Sequence, residues 1–415
     1  MLNHFIAPPF LRRWFNPLLW VLVLIGLNMR PLLTSIGPLL PTLRQATGLS
    51  FGGAALLTTL PVLMMGLMAL AGGAINRLFS ERTSVVLSLL AIGLGAAWRE
   101  LAPGSTQLML SAVLGELAPG STQLMLSAVL GGLGIGVIQA VMPGIIKHHF
   151  LKQMALVAGL WSAALMGGGG LGAAITPWLM SVGHDWHSAL AWWAAPALVA
   201  LIAWWPVSRG LARLTPSGTA RGPSLWCSRR AWLLGAYFGL INGGYTSLIA
   251  WLPPYYMQIG WQPQASGSLL ALMTFGQVVG ALLLPALARA TDRRPLLLLA
   301  LIMQLAGFIG LIYLPQTLPW LWVLLSGLGL GGAFPLCLVL ALDHIPHPAA
   351  AGRLVAFMQG IGFLLAGTTP YISGLLRDYS GGFVLDWQIH ALLVVVLIAI
   401  TWCFHPHSYR RAFAE

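Results

Sequence analysis

Charged residues are scarce: they make up 7% of the 415-residue chain, where soluble domains carry roughly 25%. That shortage excludes an ordinary water-soluble enzyme. Cysteine is nearly absent too, with three residues. Cys227 lies in a polar stretch and Cys337 and Cys403 in apolar ones, so neither a disulfide framework nor a metal cluster is implied. Alternation of apolar and polar residues is missing from runs such as Leu18–Leu27 and Val85–Leu94, which argues against a β-barrel. What the chain does have is 58% hydrophobic residues, a mean hydropathy of +0.83 and repeated apolar runs of about 20 residues, the length that crosses a bilayer as a helix. It reads as an all-α polytopic membrane protein whose principal partner is the lipid bilayer. The stretch after Arg12 and Arg13 is too long for a secretory signal and lacks a small-residue cleavage site, so it reads as the first transmembrane helix.

Apolar windows bounded by charge, Pro and Gly predict twelve spans near 17–42, 51–75, 84–99, 122–146, 154–180, 188–206, 231–252, 265–288, 295–314, 318–342, 354–376 and 387–404. With a cytoplasmic N-terminus, seventeen Lys and Arg fall on the cytoplasmic side and three (Arg44, Arg99 and Arg377) on the other. This bias orients the chain, puts both termini in the cytoplasm and accounts for the net charge of +12 without nucleic acid. The basic linker 208–230 divides a six-helix unit, 1–207, from a second, 231–415. Trp20, Trp98, Trp178, Trp204, Trp205, Trp232, Trp320, Trp322, Trp387 and Trp402 fall near predicted span ends, as an interfacial belt.

The halves repeat one another. Arg30-Pro-Leu-Leu-Thr34-Ser35 with Pro41 matches Asn242-Gly-Gly-Tyr-Thr246-Ser247 with Pro253 at an offset of 212, and the Gly132 and Gly327 runs match at 195. The difference points to extra sequence in the first half. Residues 100–115 recur unchanged as 116–131, so one 16-residue copy, taken as the second, is surplus to the fold.

Arg30 is the residue that most needs a function. It lies 13 residues into span 1, about 20 Å at 1.5 Å per residue, too deep to snorkel easily, and a charge there costs roughly 2.5–3.5 kcal/mol. Its guanidinium offers a rigid fork of donors to a small anion. The half-repeat pairs Arg30 with Asn242, and Thr34 and Thr246 follow each at i+4, on the same helix face. A compact polar site between spans 1 and 7 is expected. Gln139, Gln277, Trp161 and Tyr245 are further candidates for substrate contact. Glycine runs at 131–136, 167–172 and 327–332 read as close helix crossings. No carboxylate is expected deep in a span: Asp386 is placed at the outer face, and His390, just inside span 12, is a weak proton-relay candidate. His148 and His149 at the membrane edge make neither a catalytic nor a metal site, and no cofactor is implied.

The segments Leu24–Pro41, Gly159–Gly170 and Gly327–Pro335, together with the halves and basic linker, resemble the cyanate transporter family of the major facilitator superfamily. The resemblance implies two pseudo-symmetric six-helix bundles. It also implies a secondary carrier of cyanate across the bacterial inner membrane; a monomer is expected. The broader family is similar to nitroimidazole exporters, which keeps efflux of a small organic compound as the alternative. A membrane-embedded enzyme is a third reading, for which no clustered nucleophile or acid/base pair is found.

Overall fold

A computed structural model describes residues 16–100, 119–150, 154–210, 225–288, 292–345 and 348–409. Among these, twelve helical segments run in the order expected: α1 (Pro17–Thr47, interrupted), α2 (Phe51–Leu78), α3 (Glu81–Ala97), α4 (Pro119–His149), α5 (Met154–Ser181) and α6 (Trp186–Val207, interrupted) make the first half. The second is formed by α7 (Arg229–Gln258), α8 (Pro263–Leu287), α9 (Arg294–Tyr313), α10 (Pro319–His344), α11 (Pro348–Ser380) and α12 (Val384–Thr401).

Ten of these are long and apolar enough to cross a membrane. The other two are α3, with 17 residues, and α7. The latter is buried without a break from Ile241 to Tyr256, so protein rather than lipid surrounds it, and Asn242, Thr246, Ser247 and two prolines are tolerated there. The halves meet where α2 packs on α11 and α5 on α8, with α1 beside α7.

Small residues set these distances. A Cβ on Gly66 would sit 2.8 Å from the Leu364 amide nitrogen, and one on Gly267 2.7 Å from the Ala173 carbonyl. Gly132 lies on Pro61, Gly168 on the Leu27 carbonyl, and Gly331 on the backbone of Gln277. All three glycine runs are therefore crossings at backbone contact.

Lipid-facing surface is apolar, and Trp20, Trp98, Trp178, Trp205, Trp232, Trp320 and Trp402 are exposed, as a belt requires. Two members of the expected belt do not belong to it. Trp204 is buried and its Nε1 donates to the Arg82 carbonyl at 3.4 Å, and Trp387 is buried inside the second half.

On the face where α9 begins and α10 ends, Arg293 pairs with Asp343 at 2.9 Å and Arg294 with Asp292 at 2.7 Å. Hydrogen bonds from Arg294 hold the Asp292 carboxyl below its ordinary range. The pair is therefore present at neutral pH and is lost as pH falls through that depressed value.

The opposite face is closed around Phe51 at the start of α2. Arg44 lies 3.5 Å above its ring and Arg377 of α11 lies 4.6 Å from it, while the Gly52 amide donates to Asp378 Oδ2 at 3.3 Å. A hydrogen bond to a charged group contributes about 1.5–3 kcal/mol. Asp378→Ala should therefore shift the balance toward a state open on this face by roughly tenfold or more, read as faster maleimide labelling of a cysteine placed at Ser247.

The tandem copies correct one expectation. Residues 101–118 lie outside the described residues, and from Pro119 the second copy forms the start of α4, so the surplus is one copy of two and not the second in particular. Gln123 Nε2 donates to the Trp98 carbonyl at 2.8 Å and Arg99 Nε to Ser127 at 3.0 Å, which joins the ends of α3 and α4 directly. Removing either copy yields the same chain, because the two are identical. With these ends already in contact, the shortened connection should be neutral or stabilising by roughly 1–2 kcal/mol through loop-closure entropy. A melting temperature equal to or above that of the full chain is expected.

Candidate functional site

Span 1 does not run continuously past its arginine. Helix Pro17–Leu27 ends at Asn28, and a new helical turn begins at Pro31, leaving Asn28 to Arg30 as the break. The cause is local: Pro31 has no amide hydrogen to return to the preceding turn. Freed polar groups are satisfied nearby, with Asn28 Nδ2 donating to the Leu24 carbonyl at 2.8 Å. Pro31 was the visible sign of this break in the sequence. Breaks at membrane depth are tolerated where protein or a cavity surrounds them.

The arginine carried by the break is 3% exposed. Its Nε has no hydrogen-bond partner, and among the described residues no carboxylate pairs with it. Its guanidinium carbon lies 4.9 Å from the centre of the Tyr245 ring, a cation–π contact worth about 2 kcal/mol when desolvated. Among the described residues, the Tyr245 ring is the one side-chain contact recorded for the guanidinium.

Arg30, Met166, Asn242, Tyr245, Gln277, Leu330 and Phe334 line one tight cavity with about 10 Å³ open to the centre of a water-sized sphere, roughly room for one water and well below a pocket for drug-sized ligands. Gln277 Oε1 is buried and unpartnered. Asn242 spends one amide hydrogen on the Phe238 carbonyl at 2.8 Å. A second, smaller cavity adjoins Arg30 through Leu33, Thr58, Val62, Thr246 and Ile249.

Four of the eight candidates, Arg30, Asn242, Gln277 and Tyr245, are thereby brought together. Thr246 lines only the second cavity, and its hydroxyl is occupied by Thr369 and the Ala366 carbonyl, both at 2.8 Å. Thr34 lines neither: its hydroxyl returns to the Arg30 carbonyl at 3.2 Å, and it faces Gly169 and Gly172. Its i+4 spacing places it on the same side of the helix as Arg30, but that side also meets α5. Gln139 and Trp161 line neither cavity, although Gln139 Nε2 and Trp161 Nε1 are buried without partners. Sequence reasoning missed Leu330, inside the glycine run of α10, and Met166 and Phe334, which flank the runs of α5 and α10; those runs were read only as packing.

A family model of the Major Facilitator Superfamily matches residues 18–370. The cyanate transport protein CynX of Escherichia coli strain K12 is 60% identical over 398 residues, covering 96% of this chain and 100% of that protein. This chain belongs to the cyanate transporter family of the major facilitator superfamily. It is accordingly a membrane transporter and not an enzyme. The 2-nitroimidazole transporter of the same organism is 29% identical over 91% of each chain. The crystal structure of a D-xylose-proton symporter superposes with a TM-score of 0.70 at 16% identity, covering 94% of this chain and 97% of that one, which shows a shared fold. Two pseudo-symmetric six-helix bundles are thus the architecture of this transporter.

Proposed function

We propose that this transporter carries cyanate, held at Arg30 and Asn242, by rocking its two halves about the cavity between α1 and α7. The observation that carries the reading is Arg30: buried, unpaired by any described carboxylate and open to a cavity too small for a drug-sized ligand. A small linear monoanion supplies the missing charge and accepts from the guanidinium fork, the Asn242 amide and Gln277. The name of the 60%-identical relative supports the same substrate. The break at Asn28–Arg30 and the Gly243-Gly244 pair beside Asn242 give the two site helices places to bend as the halves rock.

The basic face, with both termini, is the cytoplasmic face of a bacterial inner membrane. One copy suffices, since helices of a single chain enclose the cavity. The units are 1–207 and 231–415, joined by the linker 208–230.

Labelled cyanate uptake into proteoliposomes tests this. Saturable uptake with counterflow is expected, inhibited by other linear monoanions and indifferent to nitroimidazoles. Transport of 2-nitroimidazole without cyanate counterflow favours the efflux reading that the 29%-identical relative suggests.

A further inference from the structure

The second half holds a buried ionisable cluster that the anion cavity does not use. Asp386, expected at the outer face, is 2% exposed within α12, and His390, one turn on, is 4% exposed. A carboxylate three residues into a helix ordinarily serves that helix's own free amides. Here Oδ1 instead accepts from Ser373 of α11 at 2.7 Å, lies 3.7 Å from His390 Nε2, and leaves Oδ2 buried without a partner.

Ser373 also meets Ser247 of α7 at 3.0 Å. One residue before Ser247, Thr246 meets Thr369 of α11 at 2.8 Å. Two adjacent residues of the site helix therefore grip α11, and one of those grips ends on Asp386.

The surroundings of the pair hold few other charges. From α7, Tyr255 packs on Trp387 and donates its O–H to the Leu311 carbonyl at 2.7 Å, and Tyr237 hydrogen-bonds Thr401 at the far end of α12 at 2.8 Å. From α11, Arg377 rests on the rings of Phe51 and Phe383, and Asp378 accepts from the Gly52 amide. From α9, Phe308 stacks on the His390 ring at 5.5 Å, and Gln304, one turn away, is buried with both amide atoms unpartnered. No described acid or base of α9 faces the pair.

Building on the cyanate reading, we propose that Asp386 and His390 form a proton-binding site, so that each anion held at Arg30 travels with one proton held on this pair. A carboxyl and an imidazole enclosed in a bundle are the groups that take up and release protons within membranes. Hydronium on one side transfers a proton to Asp386 Oδ2, forming an O–H bond and leaving water. The same bond breaks to water on the other side. The charged carboxylate accepts the single Ser373 O–H at 2.7 Å, whereas the protonated one leaves that hydrogen to the Thr369 carbonyl at 2.8 Å. Proton occupancy therefore changes the Ser373–Ser247 link and the hold of α11 on α7. The proton also cancels the anion's charge, so that the membrane potential does not oppose the loaded carrier.

The full chain in proteoliposomes, with a pH dye inside and protein-free vesicles as the blank, tests this with labelled cyanate. Cyanate addition should acidify the lumen. The steady-state accumulation ratio of cyanate should rise about tenfold per unit of external acidification at one proton per anion. Asp386→Asn should lose the gradient response at least tenfold more than it loses counterflow. His390→Gln should move the pH profile of uptake while retaining saturation. Wild-type counterflow with no acidification, or a gradient response unchanged in Asp386→Asn, overturns the proton site and leaves the cyanate carrier standing. Equal loss of counterflow and gradient response in both variants makes the pair structural and also overturns it. Absence of wild-type counterflow removes both readings.

Discussion

Arg30→Gln is expected to abolish cyanate transport while leaving the protein folded and as stable as before, or more so. The guanidinium is buried, its Nε is unsatisfied and no described carboxylate neutralises it. Removing such a charge relieves a desolvation cost rather than breaking a pair. The anion loses two or more charge-assisted hydrogen bonds at about 1.5–3 kcal/mol each, so affinity should fall at least ~100-fold. Arg30→Lys keeps the charge but loses the planar fork and should fall between the two. The check is initial uptake rate set beside melting temperature in detergent. A transport-dead variant with an unchanged or raised melting temperature is the predicted signature, whereas a variant that loses both together would mark Arg30 as a packing residue.

The second large effect concerns folding. Gly168→Ala should prevent normal assembly of the first half, because the added Cβ overlaps the Leu27 carbonyl at the end of the first helical piece of α1. Backbone on both sides cannot move aside as a flexible side chain would, so the overpacking cost exceeds the usual 1–3 kcal/mol. The neighbouring Gly167→Ala is the control. Its Cβ would meet nothing nearer than Leu27 Cδ2 at 3.9 Å, an ordinary contact. Folded yield by size-exclusion fluorescence should drop severely for Gly168→Ala and stay at the wild-type level for Gly167→Ala. Equal yields would show that α1 and α5 are not held at backbone contact.

The architecture was readable because bilayer thickness imposes a length on every span and basic loops impose an orientation pattern. Nine of the twelve helices fall within about three residues of the expected windows, and α1, α7 and α11 run four to six residues past them. The half-repeat carried the reading further, pairing Arg30 with Asn242 before any geometry was known. It went too far for the threonines. A shared helix face does not say what that face meets, and Thr34 meets the glycines of α5 while Thr246 is taken up by α11.

The second half was less legible for a related reason. Asp386 lies near the boundary of an apolar run, where depth and exposure cannot be told apart from sequence. Only the packing of α9 and α11 on α12 encloses it. Trp387 misled in the same way, since a tryptophan near a span end fits a lipid interface until a neighbouring helix covers it. The small cavity-lining residues Met166, Leu330 and Phe334 carry no polar signal, so their role rests on which helices converge rather than on residue type.

Cyanate binding to the purified protein tests the central claim most directly, through the concentration dependence of its melting temperature with and without Arg30. A ligand bound only to the folded state raises stability by RT ln(1 + [L]/Kd). The wild type should therefore show a shift that rises with the logarithm of cyanate concentration above Kd, and Arg30→Gln none over the same range. An equal cyanate-dependent shift in Arg30→Gln would contradict the assignment of the anion to this cavity.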